Sequence, residues 1–253
     1  MDNYNQQDFS NYTVIDSQQT AADAGVAKKF MANVFLWMFI ALGVSTVLAF
    51  LYGTNAGLIS DLYILTDRGA RPSMLGWIVT FAPLGFVMLM SFGYSKLSAS
   101  TLTFLFLFYA ALTGMSLSCI LWIYTPNSVI SCFGASAAMF GVMAYMGYTT
   151  DKDLTSFGNI LMMGLVGCLV AIVINMFMHS EMLGYLIGIV GVAVFTGLTA
   201  YDVQKLKRIG AGIEFEGTSV NETKKLAIMG ALNLYLDFIN LFLMLLRLFG
   251  NRK

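Results

Sequence analysis

GALNLYLDFINLFLMLLRLFG, Gly230–Gly250, is an apolar run with an acid in its middle. About 20 residues at 1.5 Å per residue cross roughly 30 Å of hydrocarbon, so the run reads as a membrane-spanning helix. Yet Asp237 sits near its centre, flanked by Asn233 and Asn240, with Arg247 towards its end. At 100° per residue these three fall within about 80° of Asp237, on one side of the helix. A helix with such a stripe does not face lipid all round. It belongs inside a bundle or beside a water-filled cavity. An aspartate at mid-membrane costs roughly 2.5–3.5 kcal/mol even on the gentler insertion scale, so it calls for a partner and a use.

The rest of the chain has the same character. Of 253 residues, 58% are hydrophobic and 11% charged, and the mean hydropathy is +0.74. Soluble domains carry about 25% charged residues, so a polytopic membrane protein is expected. Fourteen Lys and Arg balance fourteen Asp and Glu, which leaves no net charge to recruit nucleic acid. Cys119, Cys132 and Cys168 are odd in number and lie in apolar runs, where cysteine acts as a small hydrophobe rather than a disulfide or metal ligand. Residues 1–29 are mostly polar with no apolar signal core, so they read as a disordered tail and not a cleaved signal.

Residues 30–253 divide into seven spans: Phe30–Tyr52, Met74–Tyr94, Ser100–Tyr124, Ser128–Tyr148, Gly158–Met178, Met182–Tyr201 and the run quoted above. The expected fold is an all-α integral membrane domain of seven transmembrane helices. Pro83 should kink the second span. A loop covers Gly53–Ser73, and a polar segment, Val203–Met229, precedes the last span. Within it Ser219 and Glu222 have capping-box spacing, which predicts a helix start near Val220. With the N-terminus inside, the inner segments hold nine basic residues (Lys28, Lys29, Lys96, Lys152, Lys205, Lys207, Arg208, Lys224, Lys225) and the outer ones five. This favours a cytoplasmic N-terminus and an outer C-terminus. A seventh segment that re-enters would instead put both ends inside.

Twelve of the fourteen acidic residues fall in tails or loops; the exceptions are Asp202, ending span six, and Asp237. Gly184, Gly188 and Gly191 lie within about 40° of Asp202, and small residues at that spacing let helices approach closely. The simplest picture sets helix six on helix seven with the two carboxyls together. Two carboxylates in a poorly hydrated site cannot both ionise cheaply, so they share a proton. Its loss drives the helices apart or demands a counter-cation. Ca²⁺ takes six to eight oxygens, and two aspartates with Asn233, Asn240 and carbonyls make only a partial cage, a weak transit site. The plainer alternative pairs Asp202 with Lys205 or Arg208, and Asp237 with Arg247 or the asparagines, for structure alone.

FTGLTAYDVQKLKR (Phe195–Arg208) and ALNLYLDFINLFLMLLRLFG (Ala231–Gly250) closely resemble the signature segments of the Bax inhibitor-1 family, also called the transmembrane Bax inhibitor motif family. The likeness extends to APLGFVMLMSFG (Ala82–Gly93) and MAYMGYTTDKDLTSFG (Met143–Gly158), and so to nearly everything after residue 30, with the bacterial branch nearest. The resemblance implies a bacterial inner-membrane protein with helix seven central among the other six. It also implies a pH-sensitive calcium leak governed by an aspartate pair matching Asp202, in the Tyr201-Asp202 motif, and Asp237. In the family an arginine near the end of helix two can latch to an aspartate. SFGYSKLSAS (Ser91–Ser100) has none; Lys96 is the only base there.

Three functions compete. The first is a proton-gated leak for calcium ions, without a cofactor, in a monomer held by the lipid bilayer. The second is a regulatory protein that binds and restrains a membrane protease or a stress or cell-death complex, through the tail and the 203–229 segment. The third, an intramembrane aspartyl protease, fails on motif: Leu234-Tyr235-Leu236 precede Asp237 where Gly-x-Gly is needed, and no Pro-Ala-Leu follows. No enzyme activity is expected.

Overall fold

A backbone inside hydrocarbon finds no water to bond, so each apolar run must satisfy its own N–H and C=O groups, and a helix does so within one segment. The computed structural model describes residues 6–66 and 69–253, with side chains described over 25–64 and 71–253 apart from Glu214 and Glu216. In chain order the elements are α1 (Gln6–Thr54), α2 (Ala56–Leu62), β1 (Tyr63–Thr66), β2 (Gly69–Pro72), α3 (Met74–Gly93), α4 (Ala99–Leu117), α5 (Ile120–Ile123), α6 (Pro126–Thr149), α7 (Thr155–Met178), α8 (Glu181–Glu216) and α9 (Val220–Phe249). By length and composition α1, α3, α4 with α5, α6, α7, α8 and α9 are each able to cross a membrane, so the chain is an all-α integral membrane protein of seven spans.

Local chemistry sets the boundaries. Ser73, Ser98, Ser180 and Ser219 stand at the N-caps of α3, α4, α8 and α9, where each hydroxyl accepts an otherwise orphaned N–H. Pro126 opens α6, where its missing N–H is no loss. His179 (φ 52°) and Gly217 (φ 61°) end α7 and α8 in left-handed conformations.

Three expectations differ from what is observed. The segment 203–216 is not a loop: α8 runs on to Glu216 and only Gly217–Ser219 separate it from α9, which starts at Val220 as the capping spacing predicts. Its Lys, Glu, Gln and Ala are good helix formers, and polarity there means only that the helix has left the hydrocarbon. The loop 53–73 holds a helical turn and a hairpin in register Tyr63↔Pro72, with Asp67 and Arg68 outside the described residues. From Gln6 the expected tail is helical and continuous with the first span, and residues 1–5 lie outside the described residues.

The seventh helix is the centre of the bundle. In its apolar stretch 72% of residues are buried, against 11–50% in the other six spans. It packs on α8, α1, α6 and α4. Tyr235, wholly buried, stands edge-on to Phe106 and Tyr109 of α4, while Phe238 meets Phe133 and Phe140 of α6 in the same way. Nor does α9 re-enter. The residues after it bridge to the turn between spans three and four, with Thr125 N–H donating to Asn251 O (2.9 Å) and Lys253 N–H to Ile123 O (2.9 Å).

Candidate functional site

Glycines bring α8 against its neighbours. Added Cβ atoms on Gly184, Gly188 and Gly191 would lie 3.1 Å from Arg247 Nη2, 2.6 Å from Leu248 Cδ2 and 2.7 Å from Met244 Sδ, all on α9. On the other side Gly147 of α6 lies against the backbone of Ala200, where a Cβ would come 2.8 Å from the Ala200 Cα. Such approaches are what small residues permit in a membrane bundle. They hold Tyr201-Asp202 against the middle of α9.

There the two carboxyls meet. Asp237 is 6% exposed and Asp202 half-buried, and the two carboxyls are close enough to act on each other. Two ionised carboxylates have no hydrogen to offer, and Asp237 Oδ2 accordingly has no donor while fully enclosed. A proton on one of them, or a cation between them, satisfies that oxygen. Two like charges about 4 Å apart repel by about 4 kcal/mol at an effective dielectric near 20, so the doubly ionised pair is costly.

The plainer pairings are not made. Arg208 is taken by Asp153 (2.6 Å), Thr155 and Gln204. Lys205, one turn beyond Asp202, is exposed and forms no ion pair among the described residues. Arg247 sits ten residues along α9, about 15 Å at 1.5 Å per residue, beside Gly184 and Asn175. Asn233 is exposed, and Asn240 donates to Leu236 O (2.8 Å), so neither asparagine is seen to support the carboxyls. Tyr201 is half-buried with its ring on Gly158 of α7. Among the described residues no group of three or more His, Cys, Asp or Glu could hold a metal ion, so the pair offers two carboxyls and no resident cage.

Lys96, expected as a possible latch, is exposed and unpaired among the described residues. The link from the end of α3 to α9 comes instead from Tyr94, whose hydroxyl donates to Glu222 Oε2 (3.2 Å); burial first, and then Glu222, push that phenol up to about 12. Glu222 also holds Lys225 (2.9 Å), a buried lysine lying over the Tyr94 ring at 5.5 Å. Sequence reasoning missed this cluster because Lys225 was weighed only as an inner-side charge. The capping spacing was the available signal: Ser219 does cap the Glu222 N–H, but the Glu222 carboxylate turns to Lys225 and Tyr94 rather than back to the cap. Also missed was Tyr235, whose hydroxyl shares a 2.7 Å bond with Ser45 Oγ, itself donating to Ala110 O at 2.7 Å.

The sequence model of the family described as Inhibitor of apoptosis-promoting Bax1 matches residues 27–253. The chain belongs to the Bax inhibitor-1 family. Among its relatives are the inner membrane protein YbhL of Escherichia coli K12, 46% identical over 224 residues that cover 88% of this chain and 92% of the relative. A Borreliella burgdorferi protein is 41% identical over 240 residues, 95% of this chain and 99% of its own. The Rickettsia prowazekii protein RP147 is 37% identical over 248 residues, 97% and 99% of the two chains. In this member of the family the motifs around Tyr201-Asp202 and Asp237 face each other, and MAYMGYTTDKDLTSFG is fastened to the first of them. Gln204 accepts from Leu154 N–H (2.9 Å) and donates to Lys152 O (2.7 Å).

Proposed function

We propose that the chain is a pH-sensitive calcium leak of a bacterial inner membrane, gated by Asp202 and Asp237. The observation that carries this reading is the enclosed Asp237 Oδ2, left without a donor beside a second carboxyl at the centre of the bundle. With one shared proton the carboxyls bond and clamp α8 to α9. Without it the pair is two negative charges, which a divalent cation neutralises better than any neighbouring side chain. Ca²⁺ is cargo here: two carboxyls fill too few of its coordination positions for tight retention, so it passes. Leak is therefore small at acidic pH and rises as the pair loses its proton.

The test is Ca²⁺ flux into proteoliposomes from pH 5 to 8, for the native chain, Asp202→Asn and Asp237→Asn. Flux that rises with pH in the native chain and is flat in either variant supports the coupled gate. No flux above protein-free liposomes at any pH overturns the leak, and restraint of a membrane protease becomes the reading to test.

A further inference from the structure

Polar side chains from three helices converge on a cavity that the aspartate pair does not use. It measures about 320 Å³ and opens between α1, the start of α4 and the start of α9. Asn33, Trp37, Ser100 and Lys224 line it over a floor that includes buried Ala227 and Ile228. All four can donate a hydrogen bond, and among the described residues no carboxylate lines the cavity. Trp122 Nε1 donates to Gly53 O at 2.8 Å, whereas none of these four makes a side-chain hydrogen bond to another described residue. The nearby acid, Glu222, is already engaged by Lys225 (2.9 Å) and Tyr94 (3.2 Å). Thr103 and Thr223, which also line the cavity, donate to Ala99 O and Ser219 O, so among the described residues the remaining four are unspent donors that include one unpaired cation.

Its depth says what such donors meet. Lys224 stands one turn before the apolar stretch of α9, Ser100 is in the first turn of α4, and Asn33 follows Lys28-Lys29 by one turn. That is the boundary between water and hydrocarbon, where tryptophan is favoured and lipid headgroups lie. It is also the end of the bundle to which nine of the fourteen basic residues were assigned, the end that anionic lipids favour.

We infer that this cavity seats the phosphate-bearing headgroup of an anionic phospholipid. Lys224 supplies the charge, and Trp37, Asn33 and Ser100 donate to the phosphate oxygens. A lysine meets phosphate as a point charge and imposes little geometry, so the surrounding neutral donors fix the headgroup's position.

The test uses the full chain purified in neutral detergent, with phosphatidylglycerol, phosphatidylcholine or glycerol 3-phosphate as probe. Native mass spectrometry counts the lipid retained. In a Trp77→Phe, Trp122→Phe background, fluorescence reads Trp37. One phosphatidylglycerol should be retained about fivefold over phosphatidylcholine, the ratio expected of a single basic residue near the surface. Lys224→Gln should bring it down to the phosphatidylcholine level, while Lys152→Gln, an exposed lysine at the same end, should leave it unchanged. Undiminished phosphatidylglycerol in Lys224→Gln overturns the site, and equal retention of both lipids overturns the requirement for negative charge. A Trp37 response to glycerol 3-phosphate equal to that with lipid overturns the membrane source in favour of a free anion.

Discussion

Two polar groups stand two residues apart on α9 with opposite outcomes. The Tyr235 hydroxyl is satisfied by Ser45, whereas Asp237 Oδ2 has no donor. Tyr235 therefore belongs to stability. Tyr235→Phe removes one hydrogen bond of about 1 kcal/mol while Ser45 keeps its bond to Ala110 O. Tyr235→Ala empties a wholly buried aromatic site, at about 3–5 kcal/mol. Thermal unfolding in detergent should rank them in that order, and the Tyr235→Phe leak should keep its pH response. Asp237→Asn should behave the other way. An asparagine amide can donate to Asp202 and carries no charge to bury, so the melting temperature holds or rises while the pH response vanishes. A fall in melting temperature with the pH response intact would mean that Asp237 is structural.

At the scale of elements, the crossing of α6 and α8 sets where Asp202 stands. Gly147 lies against the Ala200 backbone, which cannot rotate away as a side chain would. Gly147→Ala should cost about 1–3 kcal/mol of stability by overpacking and should alter the leak through displacement of Tyr201-Asp202. Gly141→Ala on the same helix meets nothing within 4 Å and should be neutral or slightly stabilising, the helix preferring alanine by roughly 0.5–1 kcal/mol. The α6–α7 connection is a different fastening. Thr155, through its side chain and backbone, and then Arg208 hold the Asp153 carboxyl well below the usual carboxylate range. A carboxyl so lowered contributes above its unfolded value of about 3.9 and loses that contribution only as pH falls below it. Asp153 thus stays ionised from pH 5 to 8, and Asp153→Asn should leave the pH profile of the leak unmoved. Much of this arrangement is readable in sequence. Apolar runs of about 20 residues mark the spans, and lone acids in such runs mark Asp202 and Asp237. The glycines at 184, 188 and 191 mark the face of α8, and each lies against an α9 side chain. Other features carry no such contrast. Tyr235 looks like any membrane tyrosine until its hydroxyl partner 190 positions away is known. Lys225 looks like an ordinary surface charge until Glu222 and the Tyr94 ring are seen against it, and polar residues 203–216 read as a loop although their propensity is helical.

For the molecule as a whole, seven crossings put the two ends of the chain on opposite faces, and the packing makes the seventh a full crossing. At 30 residues and 1.5 Å each α9 is about 45 Å long, enough to start in water on one face and finish on the other. Its far end is tied down: Asn251 N–H donates to Ser128 Oγ (3.0 Å) and Lys253 Nζ to Leu121 O (2.6 Å), beside the bridge between Tyr124 and Arg252. The basic residues at that end therefore serve in part to fasten the chain to the turn between spans three and four, which weakens their vote on orientation. The cluster at the opposite end keeps its own, and the inside should be the face holding Lys28, Lys152 and Lys224. A green fluorescent protein fused ahead of Met1 is expected to fluoresce, and alkaline phosphatase fused after Lys253 to be active outside the cytoplasm. Fluorescence from both ends would require an even number of crossings and contradict a transmembrane α9. The inverse pattern, with the N-terminal fusion dark and a C-terminal fluorescent fusion bright, would keep the seven crossings and reverse the membrane, placing the Lys224 cavity in the outer leaflet.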